Sequence, residues 1–247
     1  MTLSDAELDR YARHIVLPQV GGVGQRKLKD SSVVVVGAGG IGSAVIPALA
    51  GAGIGRLTIV DSDVVELSNL QRQPLFRERD KGYAKAEMAA QFAHRLNRFV
   101  KVVPVQDRIT ASNARALLGG HELVIDGSDN FATRLAVSDA CVALALPLVS
   151  AAAVQFQGQV GLFRSRPCYR CFVGDAFDAD DCDNCAELGV LGALTATIGS
   201  FAALLAINAI VGIGEDQAGK LHLFDGERLN WRTIQIPADR SCRACGA

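Results

Sequence analysis

The apolar positions of this chain fall into short runs parted by glycine-rich or polar stretches. Ser32 to Val36 is a β-branched run too short for a helix and closed by glycine, so it reads as a buried parallel strand. Gly37-Ala38-Gly39-Gly40-Ile41-Gly42 follows, and Ser43 to Ala52 has helical composition. Leu57–Val60, Val102–Val105, Leu123–Ile125 and Pro147–Ser150 read as further strands, with a helix expected over Lys81 to Asn97. Ser4-x-x-Glu7 is a capping box that opens a short helix through about His14. This alternation predicts an α/β fold, a Rossmann-like doubly wound and mostly parallel sheet. After Ala153 the pattern changes, and Gln159–Phe163, Leu221–Phe224 and Trp231–Ile236 are expected to extend the sheet with antiparallel strands. No linker composition interrupts residues 1–247, which are read as one domain: a nucleotide-binding part over about 30–153 and a second part over about 154–247.

Composition adds exclusions. The 247 residues are 49% hydrophobic and 21% charged, which suits a chain with a sizeable core. Lys and Arg total 25 against 26 acids, for a net charge of −1, so no nucleic-acid footprint is expected. Met1 to Arg10 carries acids and no apolar core, so no secretory leader is expected and the expected compartment is cytoplasmic. Gly189 to Gly214 has no charged residue and could span a bilayer by length. Its Thr195, Thr197, Ser200 and Asn208, its Ala/Gly content and its flanking Glu187 and Glu215 argue for a helix buried all round, in a core or a subunit interface, and not in a membrane.

Six of the seven cysteines form C-x-x-C pairs: Cys168/Cys171, Cys182/Cys185 and Cys242/Cys245; Cys141 is left over in an apolar stretch. In a reducing compartment such pairs favour a metal site, and four thiolates close a tetrahedral zinc site. Local spacing favours the first two pairs together, separated by ten residues, while the terminal pair could instead be tied back to Cys168/Cys171.

Gly37, Gly39 and Gly42 fit G-x-G-x-x-G between a strand and a helix, where backbone N–H groups and the helix dipole receive phosphate. Asp61, 19 residues beyond Gly42, stands where an acid grips a ribose hydroxyl. Asn69, Arg72 and Lys85 follow as polar and cationic groups suited to an anionic substrate. Asp126 and Asp129 end the fourth parallel strand, at the edge where open α/β sheets bind ligands; an acid there can hold Mg²⁺ or cap the next helix. Gly214 with Gly219-Lys220 nearly spells a Walker A loop, but Leu221 replaces the required hydroxyl. His14, His94, His121 and His222 sit in no ligand or triad pattern and are read as surface or packing residues.

Taken in order, Arg13, GAGGIGS at 37–43, DSD at 61–63, SNLQRQ at 68–73, Lys85, DGSDN at 126–130, CYRC at 168–171, the CAELGVLGA run from Cys185 and CRAC at 242–245 resemble the bacterial MoeB and ThiF proteins, relatives of ubiquitin-activating enzymes. The resemblance spans nearly the whole chain. It implies adenylation of the C-terminal glycine of a small β-grasp sulfur carrier ending in Gly-Gly, with Mg²⁺ and ATP, and release of pyrophosphate. A MoaD-like carrier places this in molybdopterin synthesis, and a ThiS-like carrier in thiamin synthesis.

By position, Gly37, Gly39, Gly40, Gly42 and Asp61 would hold the nucleoside; Asn69, Arg72 and Lys85 the triphosphate; and Asp129 the magnesium. Arg13 would reach the neighbouring subunit's site in a homodimer. Zn²⁺ would be held by Cys168, Cys171, Cys242 and Cys245. Cys185 matches a position where ThiF-type members carry a cysteine that bonds to the carrier, although MoeB-type members have one there too, and Cys182 has no counterpart in the pattern. A cysteine desulfurase or rhodanese would supply sulfur. LFDG at 223–226 and WR at 231–232 lean slightly towards the ThiS-like reading. The rivals are an NAD-dependent oxidoreductase with a zinc knuckle and a non-catalytic module that holds a β-grasp partner. Arg13, Arg72, Lys85 and Asp129 together argue against the second.

Overall fold

The computed structural model describes residues 2–174 and 188–246. Its strands are β1 (Ser32–Val36), β2 (Arg56–Val60), β3 (Lys101–Val105), β4 (Leu123–Asp126), β5 (Leu148–Val154), β6 (Gln157–Phe163), β7 (Lys220–Asp225) and β8 (Asn230–Gln235). They form one eight-stranded sheet in the order β3-β2-β1-β4-β5-β6-β7-β8. The pairs from β3 to β5 are parallel and those from β5 to β8 antiparallel, as the change of pattern after Ala153 predicts. The strand order reverses between β1 and β4, and a crevice opens there at the carboxyl ends of the strands.

The continuous valine run of β1 has a direct cause: Val33 and Val35 face one core, and Val34 and Val36 the other. The helices are α1 (Asp5–Arg10), α2 (Ala12–Ile15), α3 (Gly21–Asp30), α4 (Gly42–Ala52), α5 (Lys85–Leu96), α6 (Ala114–Leu118), α7 (Phe131–Ala143), α8 (Tyr169–Val173) and α9 (Gly192–Val211). Residues of α4, α5 and α9 share the first core, and those of α6, α7 and α8 the second.

Three local details depart from the pattern-based expectation. The first helix is interrupted at Tyr11, whose ring turns into the interior (3% exposed), where its hydroxyl accepts from Asn97 Nδ2 at 2.8 Å. The helix expected from Lys81 starts at Lys85, because Gly82 adopts φ +86° and Val64 bridges Ala84 ahead of it. Helix α9 is buried on one face, not all round: Leu194, Ile198, Ala202, Leu205 and Ala206 pack inward, whereas Ala193, Ala196, Thr197, Ser200 and Leu204 face outward. It is long and apolar enough to cross a membrane, but half of it is buried against the sheet and α4, as befits a core helix.

Candidate active site

The glycine loop is built by two close approaches. Gly37 takes φ +89°, a conformation that L side chains rarely adopt, and turns the chain off β1. A side chain at Gly42 would run into the carbonyl of Gly37, so only glycine lets α4 begin so near the strand end. The loop therefore presents its backbone towards the N-terminus of α4, where the helix dipole favours an anion.

Asp61 braces that loop: Oδ2 accepts from Ala38 N at 2.7 Å and Oδ1 from Asp63 N at 2.8 Å. Burial pushes its carboxyl above the ordinary range, against the pull of those two donors and of Lys85.

A cleft of about 1000 Å³ lies over the carboxyl ends of β1, β2, β4 and β5. Gly37, Gly39, Gly40, Asp61, Asn69, Arg72, Lys85 and Asp129 all line it, so eight of the residues singled out from sequence converge on one volume. Gly42 and Arg13 are not among the described residues that line it. Gly42 acts from behind, by packing; Arg13 is exposed on α2. Cys182 and Cys185 lie outside the described residues.

The cationic side of the cleft is prepared by short-range bonds. Asn69 Oδ1 accepts from Glu66 N at 3.2 Å and closes the 3-10 turn Leu67–Asn69, and Arg72 Nη1 donates to Ser68 O at 3.0 Å. Lys85 is buried, and its Nζ lies 3.0 Å from Asp63 Oδ2. Across the cleft, Asp126 Oδ1 accepts from Ser128 N at 2.9 Å, and Asn130 caps α7 by accepting from Thr133 N at 2.8 Å. These bonds leave the Asp129 carboxylate exposed between them. Asp129 is thus not the helix cap; Asn130 is. An exposed carboxylate in the same cleft as the glycine loop is a hard oxygen donor of the kind that Mg²⁺ takes.

Sequence reasoning gave no role to Gln73, Thr195 or Arg134, although Gln73 stands inside SNLQRQ. All three are buried cleft residues. Gln73 Oε1 has no hydrogen-bond partner among the described residues. Thr195 and Arg134 carry no local signal, since tertiary packing alone brings them to the site.

Away from the cleft, Cys168, Cys171, Cys242 and Cys245 place their Sγ atoms within 4.8 Å of one another, with Cys168–Cys242 at 3.6 Å and Cys171–Cys245 at 3.4 Å. Sulfurs at the corners of a zinc tetrahedron with bonds of about 2.3 Å are about 3.8 Å apart, so this four-thiol donor set suits zinc, with small shifts of the sulfurs bringing them to that spacing. Burial pushes the Cys168 thiol up. Burial acts the same way on Cys242, but the N–H groups of Cys245 and Ala244 outweigh it and hold that thiol at about 7. Of the pairings left open by local spacing, the fold brings these two pairs together across 74 residues.

The ThiF family model matches residues 11–244. The chain is 43% identical over 253 residues to the sulfur carrier protein adenylyltransferase of Thermus thermophilus, covering 100% of this chain and 93% of that protein. It is 42% identical over 247 residues to the SAMP-activating enzyme E1 of Haloferax volcanii, covering 100% and 92%. The adenylyltransferase and sulfurtransferase MOCS3 of Sus scrofa shares 44% identity over 247 residues, which span 99% of this chain and 54% of that one. Among solved structures, E. coli MccB superposes with a TM-score of 0.84 at 24% identity over 96% of this chain and 72% of that chain, a likeness of fold.

Proposed function

As the chain belongs to the ThiF family, we propose that it is an adenylyltransferase that activates the C-terminal glycine of a small ubiquitin-like sulfur carrier. The observation that carries this reading is the convergence of the glycine loop, Asp61, Asn69, Arg72, Lys85 and Asp129 on one cleft. The relatives named for sulfur carrier or SAMP activation, matched over more than nine-tenths of their length, support the same substrate class.

The chemistry asks for positioning more than for a protein nucleophile. A carrier carboxylate oxygen attacks the α-phosphorus of ATP, an acyl–phosphate bond forms, and the bond to the β-phosphate breaks to release pyrophosphate. Two anions must be brought in line, and Arg72 and Lys85 supply fixed positive charge for that. The glycine loop and Asp61 hold the nucleoside, and Asn69, Arg72 and Lys85 hold the triphosphate. Asp129 would hold Mg²⁺, which supplies further charge neutralisation on the phosphate oxygens. Cys168, Cys171, Cys242 and Cys245 would hold Zn²⁺ as a structural clamp between the β6–α8 segment and the C-terminal segment.

Two features extend the reading to partners. Arg13 is exposed and outside its own chain's described cleft lining, which supports its action in a second copy's cleft within a homodimer. We assign the carrier as MoaD-like, in molybdopterin synthesis, with sulfur then delivered by a cysteine desulfurase or rhodanese. A ThiS-like carrier, with Cys185 in sulfur transfer, is the competing assignment.

Mass spectrometry of each carrier after incubation with the enzyme, ATP and Mg²⁺ tests this. The mass of one AMP added to the MoaD-like carrier is expected, and Asp129→Ala should abolish it while the protein stays folded. Full adenylation by that variant would refute the role of Asp129. Adduct formation on the ThiS-like carrier alone would reverse the pathway assignment.

A further inference from the structure

Arg134 lies in the first turn of α7, 7% exposed, at the back of the cleft. Its Nη2 donates to the carbonyl of Ser128 and to that of Ala151 (3.0 Å), and its Nη1 donates to the Ser150 hydroxyl at 3.3 Å. Ser128 belongs to the loop that carries Asp129. Ser150 and Ala151 belong to β5, which is paired on both sides, to β4 and to β6. The guanidinium therefore ties the acidic loop to a strand held at both edges. Its planar fork reaches two carbonyls with Nη2 and a hydroxyl with Nη1, a fixed two-nitrogen arrangement that a lysine ammonium on a flexible stem does not reproduce.

The rest of the loop is held by Gly127 N donating to Val36 O at 2.9 Å, by the Asp126 bond to Ser128 N and by the Asn130 cap, none of which ties it to β5. Asp126 Oδ2 and the Ser128 hydroxyl are buried without hydrogen-bond partners among the described residues. Burying a guanidinium is costly, and an apolar chain would fill the space as well. The placement makes sense where the geometry of the loop matters.

We propose that Arg134 is a positioning residue for Asp129, holding the 126–130 loop so that the Asp129 carboxylate meets the divalent cation carried with ATP. This rests on the reading that Asp129 is the cation ligand.

The test uses the full chain with a non-hydrolysable ATP analogue and Mn²⁺ as the probe, bound Mn²⁺ being read by electron paramagnetic resonance. Arg134→Met should weaken Mn²⁺ binding at least tenfold, about the loss seen when groups that orient a metal ligand are removed. Arg134→Lys should fall between that variant and the natural protein. Affinity for the analogue in EDTA should stay within about twofold, since the bonds the guanidinium makes to Ser128, Ser150 and Ala151 act on the loop and not on the nucleotide. In an Asp129→Asn background, Arg134→Met should cause no further loss.

An equal loss in both backgrounds, or a large loss of analogue affinity in EDTA, would overturn the proposal and make Arg134 a direct or merely structural contact. Unchanged Mn²⁺ binding in Asp129→Asn alone would instead remove the premise about Asp129. Should Arg134→Met fail to fold, Arg134→Lys and Ser150→Ala make the same comparison. Each should show a smaller loss that vanishes in the Asp129→Asn background, and its persistence there would overturn the proposal.

Discussion

Replacing Lys85 with methionine separates the site from the scaffold. Lys85 Nζ lies 3.0 Å from Asp63 Oδ2, and the two side chains are 8% and 53% exposed. Two unit charges at that distance attract by about 5 kcal/mol at an effective dielectric constant near 20. Most of this is offset by stripping water from the lysine, and solvent at the half-exposed Asp63 screens the rest. The net contribution to folding is therefore about 1 kcal/mol or less. Methionine fills the same slot with an apolar chain and leaves Asp63 hydrated, so the unfolding free energy should change by no more than that amount. Catalysis has no such compensation. A fixed donor aimed at developing phosphate charge is worth about 100- to 1000-fold in rate, so adenylation should fall by that factor in Lys85→Met. Urea denaturation and carrier adenylation measured on the same preparation give both numbers. Near-natural adenylation, or a loss of stability large enough to account for the loss of rate, would rule out a phosphate-directed role for Lys85.

Two further predictions concern the scaffold. Cys242→Ser should release stoichiometric zinc and lower the unfolding midpoint, as read by metal analysis and thermal melts; one zinc per chain retained in that variant would move the site to another cysteine pair. His121 is buried, with Nδ1 3.0 Å from Leu118 O and Nε2 2.9 Å from Thr58 Oγ1. A carbonyl only accepts, so Nδ1 carries a proton, and in the neutral ring Nε2 accepts from the Thr58 hydroxyl. Burial lowers its pKa below the ordinary 6.5, so the unfolded chain binds the extra proton first. This contribution is present above about pH 6.5 and lost as the pH falls through the window below it. His121→Gln should flatten the fall in stability below about pH 6.5, and an unchanged slope there would contradict the assignment.

Much of the sheet was legible because β1 and its neighbours are buried on both faces, which writes an unbroken valine run into Ser32–Val36. Glycine positions marked the loop for the same kind of reason: Gly37 and Gly42 answer to backbone geometry, which leaves few alternatives. Helix α3 was not legible, since Gly21, Gly22 and Gly24 give it poor local propensity, and its docking comes from tertiary contacts such as Lys27 Nζ to Val211 O at 2.6 Å. The cysteine pairing was beyond local spacing, which favoured neighbours in sequence; only the fold brings residues 168–171 and 242–245 together. Arg134 was invisible for the same reason, as its partners Ser128, Ser150 and Ala151 meet through strand order and not through a motif.

On the proposed function, the cleft joins a carrier's terminal carboxylate to ATP. ATP–pyrophosphate exchange tests it directly, with the purified chain, Mg²⁺, and a MoaD-like or a ThiS-like carrier added separately. Exchange is expected with the MoaD-like carrier, dependent on its intact C-terminal glycine, and none in Asp129→Ala. Absence of exchange with either carrier, together with saturable binding of NAD, would contradict it.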